Sequence, residues 1–243
     1  LYPWANRLGG LAYSAAGRSA RLDPDAAFVR LEEHGLPVHG LLAASPLWVL
    51  DELEEQVISA ELDLGAHPEL LEAFPFPHVL RLEVALSGNA LTWTTTVTPT
   101  ADAAVPVAFG FHPYFALPGV PRSAWELDVP AVARVVVDDR QVPTGELREV
   151  EGLRGPLGER TFDDGYTVDA PAHSTLRGGG REIVVGVDGA FPFTQVFAPP
   201  GEELVAIEPM TAPADALRSG WGLRAVSPGE RFEASFAVTV RWS

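Results

Sequence analysis

The chain has 243 residues, no Cys, and 17 basic against 33 acidic side chains, which gives a formal net charge of −16. The absence of Cys excludes disulfides, thiolate metal ligands and a cysteine nucleophile, and so acidic a chain is poorly suited to bind nucleic-acid phosphates without sequence preference. Hydrophobic residues make up 47% of the chain, which is enough for a sizeable core, and no apolar run reaches membrane-spanning length.

Alternation between apolar and polar residues predicts a series of short strands. The pattern is clearest near the end of the chain, where Phe232, Phe236 and Val240 share one face while Glu233 and Arg241 share the other. Alternation or short apolar runs predict strands, in chain order, over residues 78–86, 91–98, 133–137, 182–187, 194–197, 204–207 and 232–242.

Helical patterns are few. The spacing in residues 25–33 allows about two turns, but the segment runs into Gly35, and residues 47–62 fit neither the helical nor the strand period. The many short strands with frequent turn signals therefore predict an all-β fold, a large antiparallel β-sandwich. Because no repeat, low-complexity tract or composition break divides the chain, we expect a single domain over residues 1–243.

The six His are candidates for metal binding or proton transfer. No His-x-His pair is present, which argues against the metal site of the jelly-roll enzymes, and we expect no metal. For four of them we expect ordinary hydrogen bonding to backbone groups: His34, His67, His78 and His173.

His112 has a distinctive setting in residues 109–119, Phe-Gly-Phe-His-Pro-Tyr-Phe-Ala-Leu-Pro-Gly. Its aromatic and aliphatic neighbours would desolvate the imidazole, favour the neutral form and shift its titration. Pro113 favours an extended conformation for the residue before it. Spacing alone leaves two interpretations open, a functional imidazole and a core histidine at the end of a strand.

Glu208 ends the apolar run Leu204-Val-Ala-Ile and precedes Pro209. Strand alternation places it on the face of Leu204 and Ala206, where a carboxylate is costly unless it has partners or a function. The alternative is an exposed charge where the strand ends. The aromatic-rich run 190–197, just before it, favours a concave apolar wall nearby.

Asn6 and Arg7 lie close to Trp4 in the sequence. This combination suits a polyol ligand, because amide and guanidinium groups bond hydroxyls and a sugar face can pack on an indole ring. The alternative is a surface turn.

Two further segments contain turn-forming residues. Asp163 and Asp164 precede Gly165 and predict an Asp-Gly turn, with a carboxylate that accepts from two hydroxyls as the functional alternative. The Gly-rich residues 177–181 predict a hairpin turn instead of a phosphate loop, because no helix follows them.

The order of these segments resembles the aldose 1-epimerase (galactose mutarotase-like) family. The matching segments are, in chain order, Leu1-Tyr-Pro-Trp-Ala-Asn-Arg-Leu, Val38-His-Gly-Leu with Trp48 downstream, Phe109-Gly-Phe-His-Pro-Tyr-Phe, Phe162-Asp-Asp-Gly-Tyr and Val205-Ala-Ile-Glu-Pro-Met-Thr. The resemblance covers essentially the whole chain, and His-Pro-Tyr-Phe and Ile-Glu-Pro are its most specific parts. It implies the galactose mutarotase-like supersandwich, in agreement with the strand pattern.

The resemblance also implies Glu208 as the general base and His112 as the general acid. In mutarotation the base removes the proton of the anomeric hydroxyl while the acid protonates the ring oxygen, and rotation in the open form gives the other anomer. A carboxylate and an imidazole on opposite sides of the sugar can do this without metal or cofactor. The other implied residues bind the sugar: Arg7, which could polarise the ring oxygen, His39 and Asp163, with Asn6 beside them.

Two departures from the family pattern raise alternatives. Family members carry further strands before the Asn-Arg motif, so we expect residues 1–243 to lack the first strands of the sandwich. His112 is followed by Pro, a form more typical of relatives that include hexose-phosphate epimerases, so a hexose-6-phosphate is an alternative to a free hexose. The net charge of −16 favours the free sugar. A non-catalytic carbohydrate-binding β-sandwich is a further alternative.

The remaining expectations concern partners and location. We expect a cytoplasmic isomerase of carbohydrate metabolism whose partner is a small-molecule sugar, with no nucleic-acid and no membrane partner. The sequence leaves open whether the protein is a monomer or a dimer.

Overall fold

The computed structural model describes residues 1–242, and antiparallel strands make up most of its regular structure. The strands in this range are β1 Ala12–Ala15, β2 Arg18–Arg21, β3 Val49–Leu53, β4 Val57–Asp63, β5 His78–Ser87, β6 Ala90–Pro99, β7 Val105–Val107, β8 Tyr114–Phe115, β9 Glu126–Val129, β10 Ala131–Val137, β11 Pro143–Glu149, β12 Leu153–Pro156, β13 Phe162–Val168, β14 Ala172–Gly178, β15 Arg181–Val187, β16 Phe193–Ala198, β17 Val205–Met210, β18 Arg224–Val226 and β19 Phe232–Trp242. The predicted all-β antiparallel sandwich is confirmed; the single-domain organisation stays a prediction.

Two large sheets contain most of the strands. The six-stranded sheet has the order β11-β10-β13-β16-β17-β8, and the nine-stranded sheet has the order β12-β9-β14-β15-β19-β6-β5-β4-β3. Two smaller sheets pair β1 with β2 and β18 with β7. One apolar core contains side chains of both large sheets, including Ile207 from the first and Leu80 and Phe236 from the second.

The two faces of the six-stranded sheet bury different side chains. On β16, Val196 points into the main core, whereas Phe193 belongs to a separate apolar cluster with Ala5, Val135 and Met210. Because side chains an even number of residues apart share a face of a strand and those an odd number apart do not, the second cluster lies on the face turned away from the main core. We call this the cleft face, and it positions the candidate site.

The seven predicted strands all form, as β5, β6, β10, β15, β16, β17 and β19. The ambiguous residues 47–62 contain β3 and all of β4 except its last residue, and these two strands form a hairpin at the edge of the nine-stranded sheet. Residues 25–33 form turns and no helix; one of these turns is closed by the Val29 N–H, which donates to Ala26 O at 2.9 Å. The predicted hairpin turn at 177–181 is confirmed, with Gly179 and Gly180 both at positive φ between β14 and β15.

Helices are short. Helix α1 spans Pro68–Ala73 and α2 spans Ala216–Ser219, with 3-10 turns at Leu64–Ala66 and Arg122–Ala124. Helix α1 begins with Pro68, a residue favoured in the first helical turn, but it is too short to show a helical period in the sequence. Within residues 1–242, none of the helices has the length and apolar character needed to cross a membrane.

Candidate active site

Polar side chains on three adjacent strands lie side by side on the cleft face. Gln195 of β16 pairs in register with Glu208 of β17 on one side and with Gly165 of β13 on the other. Asp163 lies two residues before Gly165 and therefore on the same face. Gln195 Nε2 donates to Asp163 Oδ1 at 2.8 Å. Two carboxylates and an amide thus form one polar row across the sheet.

The predicted Asp-Gly turn at Asp163–Gly165 is wrong, because these residues lie within β13 and pair with β16. A Cβ at Gly165 would lie 3.2 Å from Gln195 Oε1. Gly therefore leaves the Gln195 side chain the space to reach Asp163. A tight turn and a crowded strand face both favour Gly, so the residue type did not distinguish them.

An irregular segment that pairs with the end of β17 brings His112 to the polar row. The Phe111 N–H donates to Pro209 O at 3.0 Å, and a Cβ at Gly110 would lie only 2.7 Å from the same oxygen. This close backbone approach sets His112 Nε2 3.3 Å from Glu208 Oε1. Glu208 is therefore not an exposed charge at the end of a strand, and His112 is not enclosed in the core.

Burial changes the titration of both groups. Glu208 is 2% exposed; desolvation, reinforced by the negative charge of Asp163, raises the pKa of its carboxyl well above the ordinary value of 4.5. Desolvation also lowers the pKa of His112 below its ordinary value of 6.5. The two shifts have opposite directions, and both favour the form of the pair with its proton on Glu208 and a neutral His112 imidazole.

The Asn6-Arg7 segment and His39 lie together in two paired loops. The His39 N–H donates to Asn6 O at 2.7 Å, Arg7 forms a bridge with Val38, and the rings of His39 and His112 are 5.5 Å apart between centroids. Asn6 and His39 both have left-handed backbones, with φ of 50° and 66°. This conformation is uncommon for residues other than Gly, although Asn, Asp and His adopt it more often than the rest, and such backbones cluster at functional sites.

His39 is held as a neutral imidazole. Burial, with a contribution from neighbouring His112, lowers the pKa of His39 to about 4. A neutral imidazole carries one donor and one acceptor nitrogen. It is therefore suited to bond a hydroxyl group.

Buried polar atoms without a protein partner concentrate at these residues. Among residues 1–242, seven buried side-chain nitrogen or oxygen atoms lack a hydrogen-bond partner, and four of them are Asn6 Oδ1, Arg7 Nε, His39 Nδ1 and His112 Nδ1. Buried polar atoms in proteins are nearly always hydrogen-bonded. A ligand with several hydroxyl groups suits this set, because a hydroxyl can both donate and accept.

A cleft opens beside the polar row on the cleft face. Polar residues line one part of it, Asn6, Arg7, Gln141, Asp163 and Gln195, and apolar residues line the rest, Val135, Val137, Pro143, Phe193, Met210, Pro213 and Ala214, together with Gly165. Arg7 Nη1 donates to Gln141 O at 3.2 Å. Arg7 is the one cationic side chain among these lining residues, and Asp163 is the one carboxylate.

The predicted packing of a sugar on Trp4 is wrong, because Trp4 is 1% exposed and belongs to the main core. Tyr114 is the exposed aromatic residue at the site. Its ring stacks on His112 at 4.6 Å between centroids and remains 55% exposed. Phe197 contacts the same imidazole edge-on, at 6.2 Å.

Sequence reasoning assigned no site role to Gln195 or Tyr114. Gln195 stands in a strand whose neighbours are apolar or hydroxyl-bearing, next in the sheet to the strand of Glu208. An amide among such neighbours, beside the strand of Glu208, indicates a polar partner on the same face and could have been recognised as a candidate site residue. Tyr114 lies two residues after His112, within the segment already singled out.

The candidate acid and base are in direct contact. The 3.3 Å between His112 Nε2 and Glu208 Oε1 leaves no space for a ring between them. In this position the two groups can act on a sugar from one side of its ring only, and their placement around a bound sugar stays a prediction. The anomeric hydroxyl and the ring oxygen of a pyranose are bonded to the same carbon, so two adjacent groups can reach both.

His78 and His34 lie outside the candidate site and have hydrogen-bond partners close by in the sequence or in the core. The ring of His78 is buried and contacts Tyr2 Oη and Phe76 O, each at 2.5 Å, so the prediction of backbone hydrogen bonding holds for it. His34 Nδ1 instead lies 2.9 Å from a side chain, at Glu32 Oε2.

The chain resembles known proteins in sequence and in structure. Residues 1–239 match the family model described as aldose 1-epimerase. The protein YihR of Escherichia coli (strain K12) is 24% identical to this chain over an alignment of 254 residues, gaps included, which covers 98% of this chain and 77% of YihR.

Solved structures show the same fold. A galactose mutarotase-like protein from Clostridium acetobutylicum is similar with a TM-score of 0.83 at 15% identity, over 99% of this chain and 78% of that one. A galactose mutarotase related enzyme from Lactobacillus acidophilus has a TM-score of 0.79 at 21% identity, over 99% and 81% of the two chains.

Proposed function

The chain belongs to the aldose 1-epimerase family, and we propose that it interconverts the α and β anomers of a free hexose by acid–base opening of the sugar ring. The observation that supports this most is the 3.3 Å contact between His112 Nε2 and Glu208 Oε1 beside a cleft. Ring opening requires one group that accepts a proton and one that donates a proton, within reach of two oxygens on one carbon.

The reaction proceeds by two proton transfers in each direction. The pair holds one proton and reacts in the form with that proton on His112: the Glu208 carboxylate takes the proton of the anomeric hydroxyl while the His112 imidazolium gives its proton to the ring oxygen, and the bond between C1 and the ring oxygen breaks. Rotation about C1–C2 then presents the other face of the aldehyde. On closure His112 recovers the proton from the attacking hydroxyl and Glu208 returns its proton to the former carbonyl oxygen. Both groups end in their starting states.

Four further residues bind the sugar in this proposal: Asn6, Arg7, His39 and Asp163. Arg7 directs its positive charge at the ring oxygen, where negative charge develops as the ring opens. The neutral ring of His39 bonds a hydroxyl. The Asp163 carboxylate, held by Gln195, accepts from sugar hydroxyls.

The charges of the cleft support a free hexose over a hexose-6-phosphate. One guanidinium and one carboxylate line the cleft, so their charges offset each other. Phosphate recognition usually relies on several cationic or backbone donors. A phosphorylated substrate would therefore meet no excess of positive charge there.

Polarimetry on freshly dissolved α-glucose and α-galactose tests the proposal. The protein should shorten the relaxation to the equilibrium rotation in proportion to its concentration. A panel of free hexoses and their 6-phosphates identifies the substrate class: faster relaxation of the 6-phosphates alone, weakened by salt, would indicate the hexose-6-phosphate alternative. Saturable sugar binding with no change in the relaxation rate would indicate a non-catalytic binding module.

The rate should depend on pH as a bell-shaped curve, because ring opening needs one proton on the His112–Glu208 pair. At low pH both groups are protonated and no base remains; at high pH both have lost their protons and no acid remains. Burial lowers the pKa of His112 below 6.5 and raises that of Glu208 above 4.5. We therefore expect the midpoint of the rising limb, on the acid side, to lie below pH 6.5 and the midpoint of the falling limb, on the alkaline side, to lie above pH 4.5.

The measurement is the initial polarimetric rate across pH, corrected for the uncatalysed reaction. His112→Asn provides the control, because it removes one titrating member of the pair and should abolish the bell. A pH-independent rate in the parent protein would contradict the assignment.

A further inference from the structure

Arg7 can act on a sugar only if the loop that carries it stays in place. Asn6 has a left-handed backbone, and Arg7 lies outside the named strands, with a single bridge to Val38. The Arg7 side chain has one contact of its own, from Nη1 to Gln141 O at 3.2 Å, and its Nε is buried without a partner. The main chain of the loop is bonded to residues 37–39 through Asn6 O and the Leu8 N–H, which leaves Arg7 O and the Gly9 N–H to be bonded from elsewhere in the fold.

Asp215 contacts the main chain directly after the Arg7 side chain, on the two sides of Leu8. Its N–H donates to Arg7 O at 2.7 Å, and its Oδ1 accepts from the Gly9 N–H at 2.7 Å. Asp215 is 6% exposed and has a left-handed backbone with φ of 61°. That conformation is uncommon for a residue with a side chain, and it is the one in which both contacts are made.

Arg218 holds the Asp215 carboxylate in this position. Arg218 Nη1 lies 3.3 Å from Oδ1 and 3.2 Å from Oδ2 of Asp215, and Arg218 Nε donates to Ala12 O at 3.1 Å. A Cβ at Gly9 would overlap the Arg218 guanidinium, so the loop and this ion pair are packed without spare space.

The contacts of Asp215 also connect Arg7 to the strand of Glu208. Asp215 follows Pro213 and Ala214, which line the cleft, and the chain reaches them directly from the end of β17. A residue that bonds the Arg7 loop from this position fixes the guanidinium relative to the carboxylate of Glu208.

We propose that Asp215, held by Arg218, is a positioning residue that fixes the Arg7 loop and so keeps the Arg7 guanidinium directed into the cleft. Its effect on catalysis rests on the proposed function. Its effect on the order of the Arg7 side chain does not, because that order is a property of the free protein.

Asp215→Ala tests the catalytic part. A displacement of about 1 Å in a group that contacts the transition state can cost about 100-fold, and we expect kcat/KM for the hexose to fall by about 10- to 100-fold. Asp215→Asn keeps an oxygen that can accept from the Gly9 N–H, so its kcat/KM should fall less than that of Asp215→Ala. Asp188→Ala is the matched control: like Asp215, Asp188 holds main-chain groups with its carboxylate, which accepts from the N–H groups of Ala190 and Ser235, and its loss should lower Tm but leave kcat/KM unchanged.

A double-mutant cycle separates positioning from simple destabilisation. If Asp215 acts through Arg7, Asp215→Ala should lower Tm equally in the parent and in Arg7→Ala, but it should lower kcat/KM only in the parent. An equal loss of kcat/KM in both backgrounds would overturn the proposal, and so would unchanged activity of Asp215→Ala.

The order of the Arg7 side chain is read by NMR without substrate. The Nε–H resonance of Arg7, assigned by its disappearance in Arg7→Lys, should show restricted motion in the parent and in Asp188→Ala, and increased motion in Asp215→Ala. Equal order in the parent and in Asp215→Ala would overturn the proposal. A parent protein that relaxes no sugar would contradict the proposed function, and the NMR result would still decide the role of Asp215.

Discussion

Glu208→Gln should lower kcat for hexose mutarotation by about 10²–10⁴-fold, the usual contribution of a positioned general base. Gln has nearly the same shape and can still contact His112, but it cannot take the proton of the anomeric hydroxyl. The loss should appear in kcat with little change in KM, because Glu208 acts on the reacting atoms. Initial polarimetric rates over a range of sugar concentrations measure both quantities.

The same variant should be more stable than the parent at neutral and alkaline pH. The folded-state pKa of Glu208 is raised above the unfolded value of 4.5, so folded protein holds the proton more tightly than unfolded protein. The contribution of Glu208 to the stability of the parent is therefore greatest below pH 4.5 and is lost as pH rises through the folded-state pKa, by about 1.4 kcal/mol for each pH unit that separates the folded-state and unfolded-state pKa values. Gln carries no charge to desolvate, so its Tm advantage should shrink as pH falls toward 4.5.

Glu233→Gln is the control for this pair of effects. Glu233 is an exposed carboxylate on β19 of the other large sheet, so its replacement should change neither kcat nor the pH dependence of Tm. A Glu208→Gln protein that retains the parent kcat would remove Glu208 from the mechanism. One that loses activity but also loses stability at every pH would point to a structural carboxylate.

Gly110→Ala should lower kcat/KM by about 100-fold, the cost of misplacing a catalytic group by about 1 Å. A Cβ at this position would lie 2.7 Å from Pro209 O and 3.0 Å from Ala5 Cβ, and a backbone oxygen cannot rotate away as a side chain can. The segment 109–111 must therefore move away from the end of β17. Because that pairing sets the distance between His112 and Glu208, the acid and the base should separate.

Gly189→Ala is the matched control, because no atom lies within 4 Å of a Cβ there. It should leave both the activity and Tm close to those of the parent. Polarimetry and thermal unfolding followed by circular dichroism measure the two effects for both variants. If Gly110→Ala keeps the parent kcat/KM, the close pairing at Pro209 does not control the acid–base geometry.

The fold was predictable because, in many strands, the order of apolar and polar residues matches which side chains are buried. Strands β5, β6 and β19 of the nine-stranded sheet alternate between apolar and polar residues, as on β19, where Phe236 stacks on Trp93 of β6 at 4.8 Å between ring centroids, whereas β3 and β4 at the edge of that sheet do not. Strands buried on both faces were recognisable as apolar runs, and β17 is the example that contains Glu208. A carboxylate in such a run is costly, so its position was itself a functional signal.

The relation between site residues was less predictable. The contact of His112 with Glu208 depends on a backbone pairing that Gly110 permits, and a Gly in sequence does not say which backbone approaches it. Trp4 was misjudged because an aromatic residue next to Asn6 and Arg7 suits a sugar platform and a core position equally. Only the packing of the loop, which turns Trp4 inward, distinguishes the two.

Exchange between the two anomers at equilibrium, measured by NMR magnetisation transfer, tests the central assignment most directly. The parent protein should accelerate exchange of a free hexose, Glu208→Gln and His112→Asn should each remove most of the acceleration, and the double variant should be no slower than the poorer single variant, because the two groups act as one unit. Exchange as fast in the double variant as in the parent would contradict the assignment of His112 and Glu208 as acid and base.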